Sequence, residues 1–274
     1  TLMKQLLASA FIVMFFSVAA SHLRAENDGA NSQDSAPACV DSDAPAASET
    51  QKTPPQTVVL LHGLARSAAS MCRMQYALQA AGYQVCNIDY PSRHYPIATL
   101  ATQFVLPRIT QCVPNTQQPI HFVTHSMGGI VVRQLAKSGD ITQFGRVVML
   151  GSPNHGSEVV QALHKGLLFQ WINGPAGSEL GTESTSVPNQ LGAANFELGI
   201  IAGRHTINWL NSLMIPGVDD GKVSLRSTRL QGMRDYLIVP VSHPFLMNDA
   251  DVIRQTLHFL QMGAFEHLTD KPLQ

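Results

Sequence analysis

Short runs of consecutive aliphatic residues alternate with segments of helical hydrophobic periodicity along most of this chain. An unbroken apolar run is typical of a strand that is buried on both faces of a parallel sheet. Strands that alternate with helices at this interval predict right-handed βαβ units, and therefore an α/β protein with a doubly wound, mostly parallel sheet. The predicted strands span residues 57–62, 83–90, 120–123, 146–150, 196–202 and 236–239.

The predicted helices lie between these strands. The pattern favours a helix over residues 70–81, which Gly82 ends, and a second over residues 97–112, which Pro107 kinks or divides. A helix also follows the third strand at residues 130–137, and Asp249 is expected to cap a final helix through Leu260. Ligands of such a sheet are expected at the carboxyl ends of the strands.

The alternation of strands and helices breaks down over residues 158–195, where an apolar helical face is followed by a stretch rich in Gly, Ser, Thr and Pro. An insertion at this place predicts a cap or lid over the site, although an ordinary packed helix with a surface loop explains the pattern as well. Apolar side chains here and before Asp219 would form an apolar trough if they line a cleft rather than the core. These are Leu163, Leu167, Leu168, Trp171, Trp209, Leu213, Met214 and Ile215.

The N-terminal residues 1–25 have the pattern of an export signal. Lys4 precedes an apolar run over residues 6–20, and the small residues around Ala20 and Ala25 suit a cleavage site. An uncleaved membrane anchor is the alternative. Residues 26–56 are polar and poor in large apolar side chains, which predicts a disordered linker before a folded domain at 57–265 and a tail at 266–274.

Composition excludes some classes of function. A chain of 274 residues with 45% hydrophobic residues can bury a substantial core, and its formal charge of −1 provides no basic surplus for nucleic acid. We expect no metal or organic cofactor, and no Cys-x-x-Cys spacing typical of a metal site occurs. The four cysteines, Cys39, Cys72, Cys86 and Cys112, fit an exported protein with one or two disulfides of undetermined connectivity.

The most informative stretch is residues 120–130, in which a short apolar run ends abruptly in His-Ser-Met-Gly-Gly before a helix. A sharp strand-to-helix turn of this kind lifts Ser126 off the end of the sheet. The alternative is a serine that only caps the following helix. Two further polar groups follow later strands, namely the pair Asp219 and Asp220 in an Asp-Asp-Gly turn and His243 on the loop before the last helix.

These motifs resemble those of the α/β-hydrolases, in particular small bacterial lipases and esterases, over roughly residues 57–265. Thr124-x-Ser126-x-Gly128 is similar to the nucleophile elbow, with threonine in place of the usual first glycine. His62-Gly63 resembles the pair that precedes an oxyanion donor, and Asp-Gly-x-Val resembles the acid loop, which selects Asp220 over Asp219.

The resemblance implies a catalytic triad of Ser126, Asp220 and His243, with oxyanion N–H groups from Leu64 and Met127. It gives His62 a structural role, and His155 is interpreted as a loop residue near the mouth of the site. The implied activity is hydrolysis of a small-molecule or lipid ester by an exported enzyme, and contact with a lipid interface and the oligomeric state stay open. A serine peptidase or amidase on the same fold, or a non-catalytic binding relative, is the alternative.

Overall fold

A parallel sheet of six strands forms the centre of the described part of the chain. The computed structural model describes residues 39, 55–113, 118–141, 143–163, 167–206 and 219–267, with backbone only for 162, 163 and 167–172. The predicted signal segment and almost all of the predicted linker therefore lie outside the described residues. The strands are β1 (Thr57–Leu61), β2 (Gln84–Ile88), β3 (Ile120–His125), β4 (Phe144–Leu150), β5 (Leu198–Gly203) and β6 (Asp235–Val239).

Helices follow most of the strands. Those before the middle of the chain are a 3-10 turn (Ala68–Met71), α1 (Cys72–Ala80), α2 (Ile97–Thr99), a π-helical turn (Leu100–Val105), α3 (Leu106–Cys112) and α4 (Met127–Ser138). The later ones are α5 (Glu158–Leu163), α6 (Leu167–Ser178), α7 (Val187–Gln190), α8 (Leu225–Thr228), a 3-10 turn (His243–Asn248) and α9 (Ala250–Met262). In the described parts of the chain, no helix has both the length and the hydropathy that a bilayer span requires.

The sheet is buried on both faces, as the unbroken apolar runs predict. In β1, Val59 and Leu61 belong to one hydrophobic cluster, which also contains α4, while Val58 and Leu60 belong to a second cluster with α1 and α9. All four side chains are fully buried. The predicted doubly wound architecture is therefore confirmed.

The strand order is β2-β1-β3-β4-β5-β6, and every pairing in it is parallel. The order of strands reverses at β1, since β2 lies on one side of it and all later strands lie on the other. In open α/β sheets, ligands bind in the crevice at the carboxyl ends of the strands that flank such a reversal. Here that crevice lies between the ends of β1 and β3, beside Gly63 and Ser126.

The predicted helix over residues 97–112 is present, and Pro107 does not break it. The π-helical turn Leu100–Val105 comes directly before α3, where Pro107 occupies the first turn. Proline has no N–H to donate, and the first turn of a helix is the place where that loss costs least. The chain thus stays helical across Pro107, because a π-helical turn ends at Val105 and an α-helix begins at Leu106.

Two disulfides join the cysteines, Cys39 to Cys72 and Cys86 to Cys112. Cys86 lies in β2 and Cys112 at the end of α3, so this bridge fastens the edge of the sheet to the helix that follows it. Cys39 lies within the predicted linker, and its bridge to α1 ties that segment covalently to the folded domain.

Candidate active site

The turn between β3 and α4 forces Ser126 into a strained backbone conformation. Its φ of 53° and ψ of −122° are rare for any residue other than glycine. Close packing requires glycine just after it, since a Cβ at Gly128 would lie 2.5 Å from the carbonyl oxygen of Leu61. The Ser126 side chain makes no capping hydrogen bond to α4, so the alternative of a simple helix cap is wrong. The serine is presented at the end of the sheet instead.

Ser126, His243 and Asp220 form one hydrogen-bonded row. His243 Nε2 lies 3.0 Å from Ser126 Oγ, and His243 Nδ1 lies 2.7 Å from Asp220 Oδ2. Asp220 and His243 are 1% and 3% exposed, whereas Ser126 is half-buried and reachable from the solvent. The structure thus brings together the three side chains that the sequence resemblance selected.

The acid loop distinguishes the two neighbouring aspartates. Asp220 Oδ1 accepts hydrogen bonds from the N–H groups of Lys222 (3.1 Å) and Val223 (2.9 Å), which leaves Oδ2 directed at His243. Asp219 Oδ1 accepts instead from the N–H of Gly221 at 2.6 Å and so stabilises the turn. The residue that faces the histidine is therefore Asp220, as the Asp-Gly pattern indicates.

Two glycines that sequence reasoning did not single out make room for this pair. A Cβ at Gly151, which follows β4, would lie 3.1 Å from both Asp220 Oδ2 and His243 Nδ1. At Gly203, the last residue of β5, a Cβ would lie 2.9 Å from the Cβ of Asp220. A glycine at the end of a strand is the only sequence signal for this role, and it is also common in ordinary turns.

The predicted oxyanion donors, Leu64 and Met127, lie on the two loops that border Ser126. A Cβ at Gly63 would lie 3.1 Å from Ser126 Cβ, so the loop after β1 runs directly against the serine. Met127 is the first residue of α4, where backbone N–H groups have no partner within the helix. Among the described residues, the N–H groups of Leu64 and Met127 donate no hydrogen bond, which leaves both available to a ligand.

His62 has the structural position that was expected. Its side chain is fully buried and stacks on the Tyr90 ring with a centroid distance of 4.2 Å. The Tyr90 hydroxyl donates to the carbonyl oxygen of His62, and the Tyr90 N–H is within 3.3 Å of His62 Nε2. These contacts join the loop after β1 to the loop after β2, so they hold the backbone that leads into Gly63 and Leu64.

Histidines outside this row include His155, His258 and His267. His155 is exposed, and its Nδ1 pairs with Asn189 Oδ1 at 3.1 Å. His258 lies on α9, and His267 pairs with Asp235 at the start of β6, the opposite end of the sheet from Ser126. The described residues contain no group of three or more His, Cys, Asp or Glu placed to bind a metal ion, so no metal ligand is assigned.

Residues 173–192, which belong to the insertion at 158–195, pack against the loops at the carboxyl ends of the strands. A Cβ at Gly177 would lie 3.2 Å from Leu64 Cδ2, and the Glu179 carboxylate accepts the N–H of Ile97 at 2.7 Å. The buried Arg133 of α4 donates to the carbonyl oxygens of Pro188 and Gly192, both at 2.8 Å. This part of the insertion is therefore held against the domain at several points.

Structural comparison places this architecture among known folds. The mature form of the Bacillus licheniformis lipase BlEst2 matches with a TM-score of 0.61 at 17% identity, over 77% of this chain and 94% of that one. The Staphylococcus hyicus lipase matches with a TM-score of 0.56 at 12% identity, over 78% and 99% of the two chains. The metagenomic carboxyl esterase MGS0156 matches with a TM-score of 0.54 at 16% identity, over 71% and 68%.

No protein-family model and no curated protein sequence matches this chain. The structural likeness, at these low identities, concerns the path of the backbone. It covers the parallel sheet of six strands and its flanking helices. This chain therefore has the α/β-hydrolase fold.

Proposed function

We propose that this protein hydrolyses carboxylic esters through an acyl-enzyme on Ser126. The observation that carries the proposal is the row Ser126–His243–Asp220, with distances of 3.0 and 2.7 Å, at a strained strand-to-helix turn. A serine hydroxyl is a weak nucleophile until a base removes its proton during attack, and the row provides that base. Structural similarity to lipases and a carboxyl esterase supports ester hydrolysis as the reaction.

The hydrogen bonds assign a role to each atom of the row. A carboxylate oxygen only accepts, so His243 Nδ1 carries the proton that it donates to Asp220 Oδ2. Nε2 of the neutral ring is then the acceptor that takes the Ser126 proton, and Asp220 stabilises the imidazolium that results. The same histidine returns the proton to the leaving alcohol. It then activates the water that hydrolyses the acyl-enzyme.

The Leu64 and Met127 N–H groups are proposed to stabilise the negative oxygen of the tetrahedral intermediate. Their loops meet at Ser126, and both groups lack a partner among the described residues. Loss of one such donor costs roughly 100- to 1000-fold in rate in comparable sites. No step of this reaction calls for a metal or an organic cofactor.

Export is part of the proposal. Disulfides form and persist in oxidising compartments, and both cysteine pairs are bridged here. The predicted signal segment at residues 1–25 would direct the chain there, to the periplasm or the medium. We also propose that segment 158–195 caps the site, because its described part contacts Leu64 and the loop before Ile97. Contact with a lipid interface would follow from a lipid ester substrate.

A fluorophosphonate probe with peptide mapping tests the nucleophile. We expect one label, on Ser126, and no label on Ser126→Ala. Ser70→Ala is the matched control, since Ser70 is half-buried like Ser126 and its hydroxyl donates to the carbonyl oxygen of Ser67. Label on another serine, or active protein without label, would contradict the assignment.

Matched p-nitrophenyl ester and p-nitroanilide substrates with the same acyl group then test the reaction class. We expect kcat/KM to be far higher for the ester. A triad and an oxyanion hole serve amides as well as esters, so equal or greater turnover of the anilide would replace the esterase with a peptidase or amidase.

A further inference from the structure

His125, the residue directly before the proposed nucleophile, contacts the backbone of the proposed base. Its Nε2 lies 3.0 Å from the carbonyl oxygen of His243, and the two rings pack with centroids 4.9 Å apart. A carbonyl oxygen can only accept, so the proton of this hydrogen bond is on His125 Nε2. The contact therefore assigns the tautomer of His125.

The other ring nitrogen of His125 has no partner. Nδ1 is buried and makes no hydrogen bond among the described residues, and a Cβ at Gly63 would lie 3.0 Å from it. The whole residue is 2% exposed. If the ring were protonated, Nδ1–H would be a buried donor without an acceptor on a desolvated cation, which is strongly unfavourable.

The surroundings of His125 also favour the neutral form of its ring. The pKa of His125 is held well below its ordinary value, first by burial and then by the neighbouring His243, while Arg66 and Lys222 lower it further. The hydrogen bond to the His243 carbonyl opposes this shift but does not cancel it. The ring is therefore neutral in the pH range in which a histidine base works.

We propose that His125 is a positioning residue for the base: its neutral Nε2–H holds the backbone of His243 at the distance from Ser126 that proton transfer requires. The inference rests on the proposed function of the row. His243 is then held from two sides, because its N–H donates to Asp220 O at 3.0 Å and its carbonyl oxygen accepts from His125. Since His125 and Ser126 are adjacent in the chain, this bond links the positions of nucleophile and base directly.

Neutrality has a second consequence for the reaction. His243 becomes positively charged when it takes the serine proton, and the ring packed against it must not carry a positive charge at that moment. A permanent cation at position 125 would oppose formation of the imidazolium, since like charges at this distance repel strongly in a buried site. Burial, with Nδ1 left without a partner among the described residues, thus keeps the His125 ring uncharged.

Three substitutions at this position separate the hydrogen bond from simple packing. His125→Gln places an amide N–H near the position of Nε2, whereas His125→Asn places it near Nδ1, and His125→Phe keeps a planar ring without a donor. We expect Asn and Phe to lower kcat for a p-nitrophenyl ester by about tenfold or more with little change in KM, because a small misplacement of the base acts on chemistry. Gln should recover most of the loss.

The rate of fluorophosphonate labelling at Ser126 should follow kcat in the three variants. A His125→Phe variant with kcat within about twofold of the wild type would overturn the proposal, and so would Gln and Phe variants with equal losses. A packing role alone predicts that Phe is the mildest change. The proposed function is tested separately by the unsubstituted protein, whose failure to hydrolyse esters or to label would refute the triad and not this contact.

A measurement on the unsubstituted protein covers the case in which the variants do not fold. Nitrogen-15 NMR of the histidine side chains should show His125 as the Nε2–H tautomer, with no titration between about pH 5 and 8. His125→Gln, if it folds, identifies the signal by its disappearance, and otherwise sequential assignment of the labelled unsubstituted protein identifies it. The Nδ1–H tautomer, or a ring that titrates in this range, would refute the hydrogen bond and the neutral state.

Discussion

Asp220 and His243 are joined by two hydrogen bonds, one between side chains and one between backbones. His243 Nδ1 lies 2.7 Å from Asp220 Oδ2, and the His243 N–H donates to the Asp220 carbonyl oxygen at 3.0 Å. The backbone bond holds the loops of the two residues close together. The side chains can therefore form their own hydrogen bond with little rearrangement. Asp220 therefore favours one tautomer of His243 and holds its backbone in place.

This double connection predicts the effect of changing the acid. Asp220→Asn should lower kcat by about 10⁴-fold, because an amide can donate to Nδ1 and so favours the wrong tautomer. Asp219→Asn is the matched control and should remain near the wild-type rate, since its amide oxygen can still accept from the Gly221 N–H. Steady-state kinetics on a p-nitrophenyl ester provide the measurement, and the reverse ranking would show that Asp219 is the acid.

The pH dependence of kcat/KM should have a single acidic limb. A histidine base accepts a proton only when it is neutral, so activity should be lost as the pH falls and the base becomes protonated. His125 should add no second limb, because burial and then His243 hold its pKa well below the ordinary value.

Removal of the His243 side chain tests the origin of that limb. His243→Ala should abolish the activity, with His155→Ala as the control, because His155 is exposed and pairs with Asn189. A rate profile over pH 4 to 9 on both variants distinguishes the two residues. A His243→Ala variant that kept most of its activity would transfer the role of base to another residue.

Arg133 should contribute strongly to stability. Its guanidinium is buried, and it donates to the carbonyl oxygens of Asn154, Pro188 and Gly192, while burial lowers its pKa to about 10. Arg133→Met should lower the free energy of unfolding by about 2 to 4 kcal/mol, because it leaves those carbonyl groups unpaired.

Denaturant titration monitored by circular dichroism measures this loss. The exposed Arg226 is the control, and Arg226→Met should change the free energy of unfolding by less than about 0.5 kcal/mol. Equal effects of the two substitutions would mean that the buried hydrogen bonds of Arg133 do not stabilise the domain.

The disulfide between Cys86 and Cys112 spans 26 residues of sequence. Restriction of the unfolded chain by a loop of this length stabilises a protein by about 3 kcal/mol, so the Cys86→Ser, Cys112→Ser double variant should lose roughly that much. Thermal melts with and without reductant provide the control, because reductant can then remove only the Cys39–Cys72 bridge. A melting temperature unchanged by the double substitution would contradict the expectation.

The prediction for the acyl preference rests on side chains that the structure does not describe, those within residues 163–171 and 209–215. If the apolar side chains of 163–171 and 209–215 line the cleft, each buried CH₂ of the acyl group gains up to about 0.8 kcal/mol, and medium chains should be preferred over acetyl. A series of p-nitrophenyl esters of increasing chain length measures this. A steady fall of kcat/KM beyond two carbons would reject the apolar trough.

The sequence by itself determined the fold class, the strands and the identity of the candidate triad. These features are local. An unbroken apolar run such as Val58–Leu61 specifies a buried strand, and the small residues after Ser126 specify a sharp turn, whatever the rest of the chain does. Asp220 and His243 were selected by their resemblance to α/β-hydrolase motifs, and their places after later strands agree with a site at the carboxyl ends of a parallel sheet.

Only the tertiary structure decided which distant groups meet. His125 lies 118 residues before His243, and nothing in its neighbourhood along the chain indicates that its ring reaches that carbonyl group. The pairing of the cysteines and the room that Gly151 and Gly203 leave for the Asp220–His243 pair were equally open. Hydrophobic pattern encodes which face of an element is buried. The distance between two side chains on different loops is set instead by the packing of the whole sheet and its helices.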